Sequence, residues 1–346
     1  MSSKKSIQLK AGIIITTGML FASFSFYAYQ LLFTPNVQLE KKDTYLYVPT
    51  GADFATVKDS LDKNDVLNDK VSFHFLARLM KYRENVKPGR YLLPKNSTNL
   101  TIIKMLKQGR QAPVKVTFNN VRLKTDLADL LSKKLEFTAQ DFLNLVNNKE
   151  LTEQYGFSPN TITAMFIPNT YEFYWNITAK TFLEKMHGEY EKFWNSKRLA
   201  LAKETGLTPV EVVTLASIVE AETNDNKEKP TIAGLYLNRL RTGMPLQADP
   251  TLKYALGDFT IKRIYSGHIA FDSPYNTYMY TGLPPGPINL PSITSIDAVL
   301  NYSKHKYIYF CAHHDLNGRH EFSETYEDHL KLAAQYRKAL DKLNIK

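Results

Sequence analysis

The chain has 346 residues, of which 43% are hydrophobic, 12% aromatic and 23% charged, a globular balance in which no stretch is biased enough to stay disordered. That length exceeds a usual single domain and predicts one anchor and two folded pieces. The net charge of +10 raises the question of nucleic acid, but the Lys and Arg residues are scattered through helical segments and form no aromatic-interleaved stripe, so nucleic acid is not expected.

Residues 11–33, AGIIITTGMLFASFSFYAYQLLF, carry no charge and at about 1.5 Å per residue reach about 30 Å, one hydrocarbon thickness. A cleaved signal peptide and a buried helix share this composition, but the run is longer than a signal core and no A-x-A-like site follows it, which favours an uncleaved transmembrane helix. Lys4, Lys5 and Lys10 precede it, against Lys41 and Lys42 beyond it. Counting basic residues alone puts residues 1–10 in the cytoplasm as a tail and everything after Gln38 outside. Residues 34–43 read as a tether. With that topology the basic charge suits anionic lipid head groups or an anionic wall polymer, beside the plainer reading of a solvated surface.

A small α+β unit is expected over residues 44–112. Residues 44–48 alternate like a strand, 57–67 and 72–82 are apolar-periodic helices, Lys87-Pro88-Gly89 is a turn, and 90–93 is a returning strand. Asn99 is the expected cap of a third helix over 100–108, ended by Gly109, and 114–118 alternates again. The rest, 113–346, reads as mainly helical, with 3.6-residue spacing over 123–135, 139–147 and 182–203. Thr208-Pro209-Val210-Glu211 combines a cap, a proline at the first helical position and a capping box. Pro230 starts the next helix and Gly243 stops it. From there to about Pro291 the chain is rich in Gly, Pro, Asn and Tyr, and loops this long usually bind something. A strand at 307–312 and a helix from Tyr326 to about Leu343 close the chain. Cys311, the one cysteine, lies in an apolar run and reads as a buried small residue.

The helix from Thr208 is apolar around almost its whole circumference over 212–219, then carries Glu220 and Glu222. At 100° per residue Glu220 sits among Val213, Ala216 and Ser217, whereas Glu222 sits among Leu215, Ile218 and Val219 on nearly the opposite side. The small neighbours make Glu220 the better floor for a cleft and Glu222 a partly buried acid with a structural partner. Apolar surroundings raise a carboxyl's pKa and keep it protonated as a general acid. The alternative is that Glu220 pairs with Arg239 or Arg241 on the following helix.

Four blocks, LASIVEAET, LYLNRLRTGMPLQADPTLKYALG, SPYNTYMYTGLPPGPI and YIYFCAHHDLNGRHEFSETYEDH, resemble in order and spacing the signature blocks of the endolytic murein transglycosylase family, also called YceG-like. GRYLLP is similar to the family's small LysM-like subdomain and FIPNTYEF to its FPDTYEF-type block, so the likeness runs from Thr44 onward. It implies an α+β protein with a LysM-like subdomain and a larger, mainly helical catalytic domain with long cleft loops. It also implies lytic cleavage of the β-1,4 bond between N-acetylmuramic acid and N-acetylglucosamine within a peptidoglycan strand, with Glu220 matching the catalytic glutamate and no metal or cofactor. In that mechanism Glu220 protonates the leaving oxygen and then, as a carboxylate, takes the proton of the muramic C6 hydroxyl as this attacks C1, leaving a 1,6-anhydro end. Gln247, Asp249, Tyr275, Asn276 and Tyr278 match polar cleft positions, and Ser217 and Asn238 join them as candidates for sugar contact. Asp249 is equally a cap or turn residue, Tyr275 and Tyr278 are partly core, and Asn238 either faces Glu220 or caps its own neighbourhood. His320 and Phe322 match a G-x-H-x-F block whose role is packing against the cleft. Ala221 stands where the family often has Lys, and Asn119-Asn120 where it has Glu-Gly.

His305, His313, His314, His320 and His329 lack a recognised ligand spacing, so no metal is expected. The family further implies contact with membrane peptidoglycan synthases and a role in ending nascent strands. Two rivals stand beside this reading: a hydrolytic muramidase in which Asp249 or Glu222 activates water, and a noncatalytic wall-binding scaffold.

Overall fold

The structure, a computed structural model, describes residues 2–37, 44–119 and 121–342; residues 38–43 of the expected tether, Asn120 and the last four positions lie outside the described residues. The chain divides into two units, Met1–Lys115 with Glu172–Ile177, and Val116–Tyr171 with Thr178–Lys346.

The first unit begins with α1 (Ser2–Phe33). Its segment Ser6–Phe33 is, by length and composition, long and apolar enough to cross a membrane. Strand β1 (Thr44–Val48) pairs antiparallel with β2 (Gly89–Leu93), Thr44 facing Leu93 and Val48 facing Gly89. Period-2 alternation turns Leu46, Val48, Tyr91 and Leu93 inward. Around them pack α2 (Phe54–Lys63), α3 (Lys70–Leu79), a 3-10 turn at Tyr82–Glu84 and α4 (Asn99–Gln108), whose apolar faces close a core with Val57, Leu61, Phe73, Ile102 and Leu106. The expected cap of α4 shifts by one residue. Thr98 accepts from Thr101 N, while Asn99 is buried, donating to Ser72 Oγ at 2.9 Å and accepting from Asn36 Nδ2 at 2.6 Å. A side chain already engaged with buried polar partners is not available for capping.

In chain order β3 (Val114–Phe118) pairs with β4 (Asn169–Phe173), and between them lie α5 (Lys124–Ser132), α6 (Ala139–Val146), α7 (Lys149–Gln154) and a 3-10 turn at Ile162–Met165. The helix expected over 182–203 is two helices, α8 (Ala179–Phe193) and α9 (Ser196–Thr205). Trp194 leaves helical geometry and Asn195 caps the second piece through Arg198 N at 3.1 Å. The two helices pack on different neighbours, α8 on α6 and the Ile162–Met165 turn, where Phe142, Phe166 and Phe182 make mutual ring contacts, and α9 on the helices Pro209–Glu222 and Ile293–Leu300.

The centre of the second unit is α10 (Pro209–Glu222), with every residue from Val212 to Val219 buried. It starts where the capping box predicts: Thr208 N and Oγ1 both donate to Glu211 Oε2 at 2.8 Å. Next comes α11 (Lys229–Arg241), which ends before Gly243 at φ 68°. The expected loop up to Pro291 contains α12 (Asp249–Leu256) and the short α13 (Ser266–Ile269). Helix α14 (Ile293–Leu300), the hairpin of β5 (Tyr309–Ala312) and β6 (His320–Ser323), and α15 (Tyr326–Lys342) complete the unit. Helix α10 packs against α9, α11, α12 and α14. The architecture is α+β and mainly helical.

Candidate active site

Glu220 lies in the last turn of α10, where the helix emerges from its apolar surroundings, and its side chain is 21% exposed. Three donors converge on a single oxygen, Oε2: Lys229 Nζ at 3.0 Å, Ser292 Oγ at 2.6 Å and Ser295 Oγ. Ser292 caps α14 and Ser295 stands three residues on, so the carboxylate also meets the positive end of that helix. Lys229, only 4% exposed, opens α11 just ahead of Pro230. The other oxygen, Oε1, has no hydrogen-bond partner among the described residues.

These contacts overturn the expectation of a raised pKa. Burial opposes the charge on Glu220, but the hydrogen bonds from Ser292, Ser295 and Lys229 and the lysine's charge outweigh it and hold the carboxyl below its ordinary value. The reason is invisible in helical periodicity, because all three donors come from other elements. The anticipated arginine partners are engaged elsewhere. Arg239 is buried and donates to the carbonyls of Ile308 at 2.7 Å and Leu246 at 2.6 Å, and Arg241 donates to the Tyr302 hydroxyl at 2.9 Å.

Glu220 opens onto a cavity of about 380 Å³ lined by Arg122, Ala221, Asn224, Lys253, Phe259 and the 288–290 segment. Glu220 is the one carboxylate among its described lining residues. Ser217, expected to leave room for a ligand, is fully buried and occupied by the chain itself. Its hydroxyl donates to Thr214 O at 2.7 Å and accepts from Ile288 N at 3.0 Å, and its carbonyl accepts from Asn289 Nδ2 at 2.8 Å. The small side chain thus lets the 288–290 segment approach and form the cavity wall beside Glu220.

Glu222 points away from these donors, as the 100° spacing requires, and its partner is the buried Tyr236, whose hydroxyl donates at 2.7 Å. Burial, the largest influence, and the nearby Asp249 push its carboxyl up to about 7 despite that hydrogen bond. Asp249 in turn accepts from the Tyr278 hydroxyl, and burial, then that bond, raise the phenol's pKa. Asp249, Tyr278, Tyr236 and Glu222 therefore form one cluster, joined by charge to Arg239, and none of them lines the cavity.

The remaining expected positions fall in supporting places. Asn276 is fully buried and ties down the carbonyls of Ile269 at 2.8 Å and Phe271 at 2.7 Å. Asn238 holds the carbonyls of His305 and Tyr307 at 2.8 and 3.1 Å, so it fastens the strand approach to α11 and does not turn to Glu220. Tyr275 packs on Tyr254 with centroids 4.8 Å apart. Gln247 is exposed in left-handed backbone at φ 51°, its N–H bonded to Thr277 O at 3.0 Å. His320 bonds through N and Nδ1 to Glu228, the neighbour of Lys229, at 2.8 and 3.0 Å. His313, His314 and Glu321 bring ligand-type atoms within 4.8 Å of one another on the hairpin, a grouping their spacing does not announce, though His314 Nδ1 already contacts Glu321 Oε2 at 3.1 Å. Sequence reasoning missed Lys229, Ser292, Ser295 and Arg122; the one local signal was the S-x-x-S start of α14.

The sequence profile of the YceG-like family matches residues 46–335. A Bacillus subtilis protein named endolytic murein transglycosylase is 28% identical over 319 residues, covering 87% of both chains. A Streptococcus pneumoniae protein of the same name is 26% identical over 351 residues, covering 92% of this chain and 63% of that relative, so this chain spans less than two thirds of its length. The crystal structure of a yceG-like protein from Listeria monocytogenes superposes with a TM-score of 0.56 at 27% identity, covering 85% of this chain and 99% of that one.

Proposed function

The chain belongs to the YceG-like family, and from that premise we propose that it is an endolytic peptidoglycan lytic transglycosylase with Glu220 as the single acid and base. The observation that carries the assignment is the asymmetry of Glu220, one oxygen held by three donors and the other left free at a cavity. The donors fix the carboxylate plane, and the free Oε1 is the atom that exchanges protons with substrate.

The reaction runs in two proton transfers. Protonated Glu220 gives its proton to the oxygen leaving toward C4 of N-acetylglucosamine as the muramic C1–O bond breaks. Lys229, Ser292 and Ser295 stabilise the carboxylate so formed. That carboxylate then takes the proton of the muramic C6 hydroxyl while this oxygen bonds to C1, closing the 1,6-anhydro ring and restoring the acid. A retaining or inverting hydrolase needs a second carboxylate flanking the bond. Glu222 and Asp249 are engaged by Tyr236 and Tyr278 away from the cavity lining, which supports attack by the substrate's own hydroxyl.

The apolar α1 serves as a single-pass anchor with its N-terminus cytoplasmic and the rest of the chain on the wall side, and residues 44–112 act as a LysM-like glycan-holding piece. Anchoring at the membrane face suits cleavage of strands as they are made, close to membrane synthases, so that cutting ends elongation. The exposed Ala221 lines the cavity at the position where the family resemblance implies that a lysine is often found.

The test is product mass. Full-length protein in detergent is incubated with isolated glycan strands; new ends one water lighter than a reducing sugar are expected, and reducing ends would sink the lytic reading. Full activity in Glu220→Gln would exclude Glu220 as the acid. Binding without any cleavage by the unaltered protein would favour the scaffold reading.

A further inference from the structure

The cavity beside Glu220 holds an imbalance of charge that the cleavage steps do not use. Its carboxylate is already countered by Lys229, whereas Arg122 and Lys253, which also line it, have no ion pair or side-chain hydrogen bond among the described residues. Lys253 is felt by Glu222 only as a charge at longer range. Arg122 is not loose: its guanidinium lies over the Phe259 ring, 4.2 Å from the centroid, and that ring lines the cavity as well. Stacking fixes the plane of the guanidinium while leaving its edge donors free, the presentation that suits a two-pronged contact to a carboxylate. A strand made only of hydroxyl and acetamido groups supplies no counter-charge for two cations in a half-enclosed site.

On the reading given above, in which the cavity binds glycan, we infer that Arg122 and Lys253 form a carboxylate-recognition subsite next to the reacting bond. Arg122 is the geometric reader and Lys253 adds charge. The ligand chemistry is a carboxylate carried by the muramic residue, supplied either by the lactyl ether of a strand without peptides or by an acidic residue of the stem peptide. The subsite selects which stretch of a strand is presented to Glu220.

The experiment reads binding in full-length, cleavage-dead Glu220→Gln protein in detergent, so it stands even if the cleavage reading fails. Fluorescent strands are compared in two pairs: peptide-free strands with lactyl carboxylates free or converted to methylamides, and peptide-bearing strands with peptide carboxyls free or amidated. At least one anionic member is expected to bind about tenfold more tightly than its neutral partner, the scale of one charge-assisted contact. The pair that shows the difference identifies the source. Adding Arg122→Gln with Lys253→Gln brings the ratio to about one, whereas Arg122→Lys, which keeps charge but loses the fork, retains part of it. Equal binding within both pairs overturns the inference. So does a preference that survives the double substitution, because that belongs to the basic surface at large. Circular dichroism confirms that the substituted proteins are folded.

Discussion

Lys229→Met provides the sharpest test of how Glu220 works. Lys229 is 4% exposed and Glu220 21%, and their contact is 3.0 Å, so solvent screens the pair far less than a surface bridge. The substitution keeps the apolar stem but removes one charge-assisted hydrogen bond, about 1.5–3 kcal/mol, while burial and the two serine bonds remain. Because the lysine's hydrogen bond and charge help to hold the carboxyl below its ordinary value, the loss moves the titration of Glu220 upward. The sign follows from the acid role. Cleavage requires the protonated form, so kcat/KM falls as pH rises through the free-enzyme pKa. Removing Lys229 therefore carries the alkaline limb to higher pH, and kcat drops because the carboxylate formed midway loses its counter-charge. The assay is release of anhydro ends over a pH series, with Lys229→Arg as the charge-keeping control expected to restore the original limb. A loss of rate with the limb unmoved would refute the reasoning and make Lys229 a packing residue.

Four further outcomes follow. Ser295→Ala removes one donor from Oε2 and should move the same limb in the same direction by less than Lys229→Met, read in the same pH series. Glu222 has a folded pKa raised from 4.5 to about 7, so the folded state holds its proton more tightly than the unfolded chain does; its stabilising share is complete below pH 4.5 and is lost as pH rises through 7. At about 1.4 kcal/mol per unit the ceiling is about 3 kcal/mol, and Glu222→Gln should flatten the decline in Tm between pH 5 and 8. Ser217→Ala strands the buried Ile288 N–H at about 1–3 kcal/mol; urea titration should show that loss, together with reduced activity as the cavity wall shifts. A Cβ at Gly286 would lie 2.1 Å from Asn160 O, a backbone contact that cannot turn aside, so Gly286→Ala should lower Tm by several degrees, with unchanged thermal unfolding as the refuting result.

Much of the local organisation follows from short-range physics and was legible in the residues. Thr208-Pro209-Val210-Glu211 starts α10 because its cap and box need nothing beyond four residues, and the alternation at 44–48 and 114–118 gives β1 and β3 their observed bounds. The uncharged run of residues 11–33 marks the apolar helix from composition alone. Helical spacing also set Glu220 and Glu222 on different faces, and their separate partners, Lys229 with two serines against Tyr236, bear this out. Tertiary structure decided the rest. The split at Trp194 was hidden because apolar spacing alone does not separate one helix from two in succession that pack on different neighbours, α8 on α6 and α9 on α10 and α14. The charge state of Glu220 could not be read from its own helix, since its environment is made by Lys229 nine positions later and by Ser292 and Ser295 more than seventy positions away. Sequence identified a carboxyl at the end of a buried helix; only packing decided that burial loses to three converging donors, and so turned an expected standing acid into a carboxylate that must take up a proton before it can act.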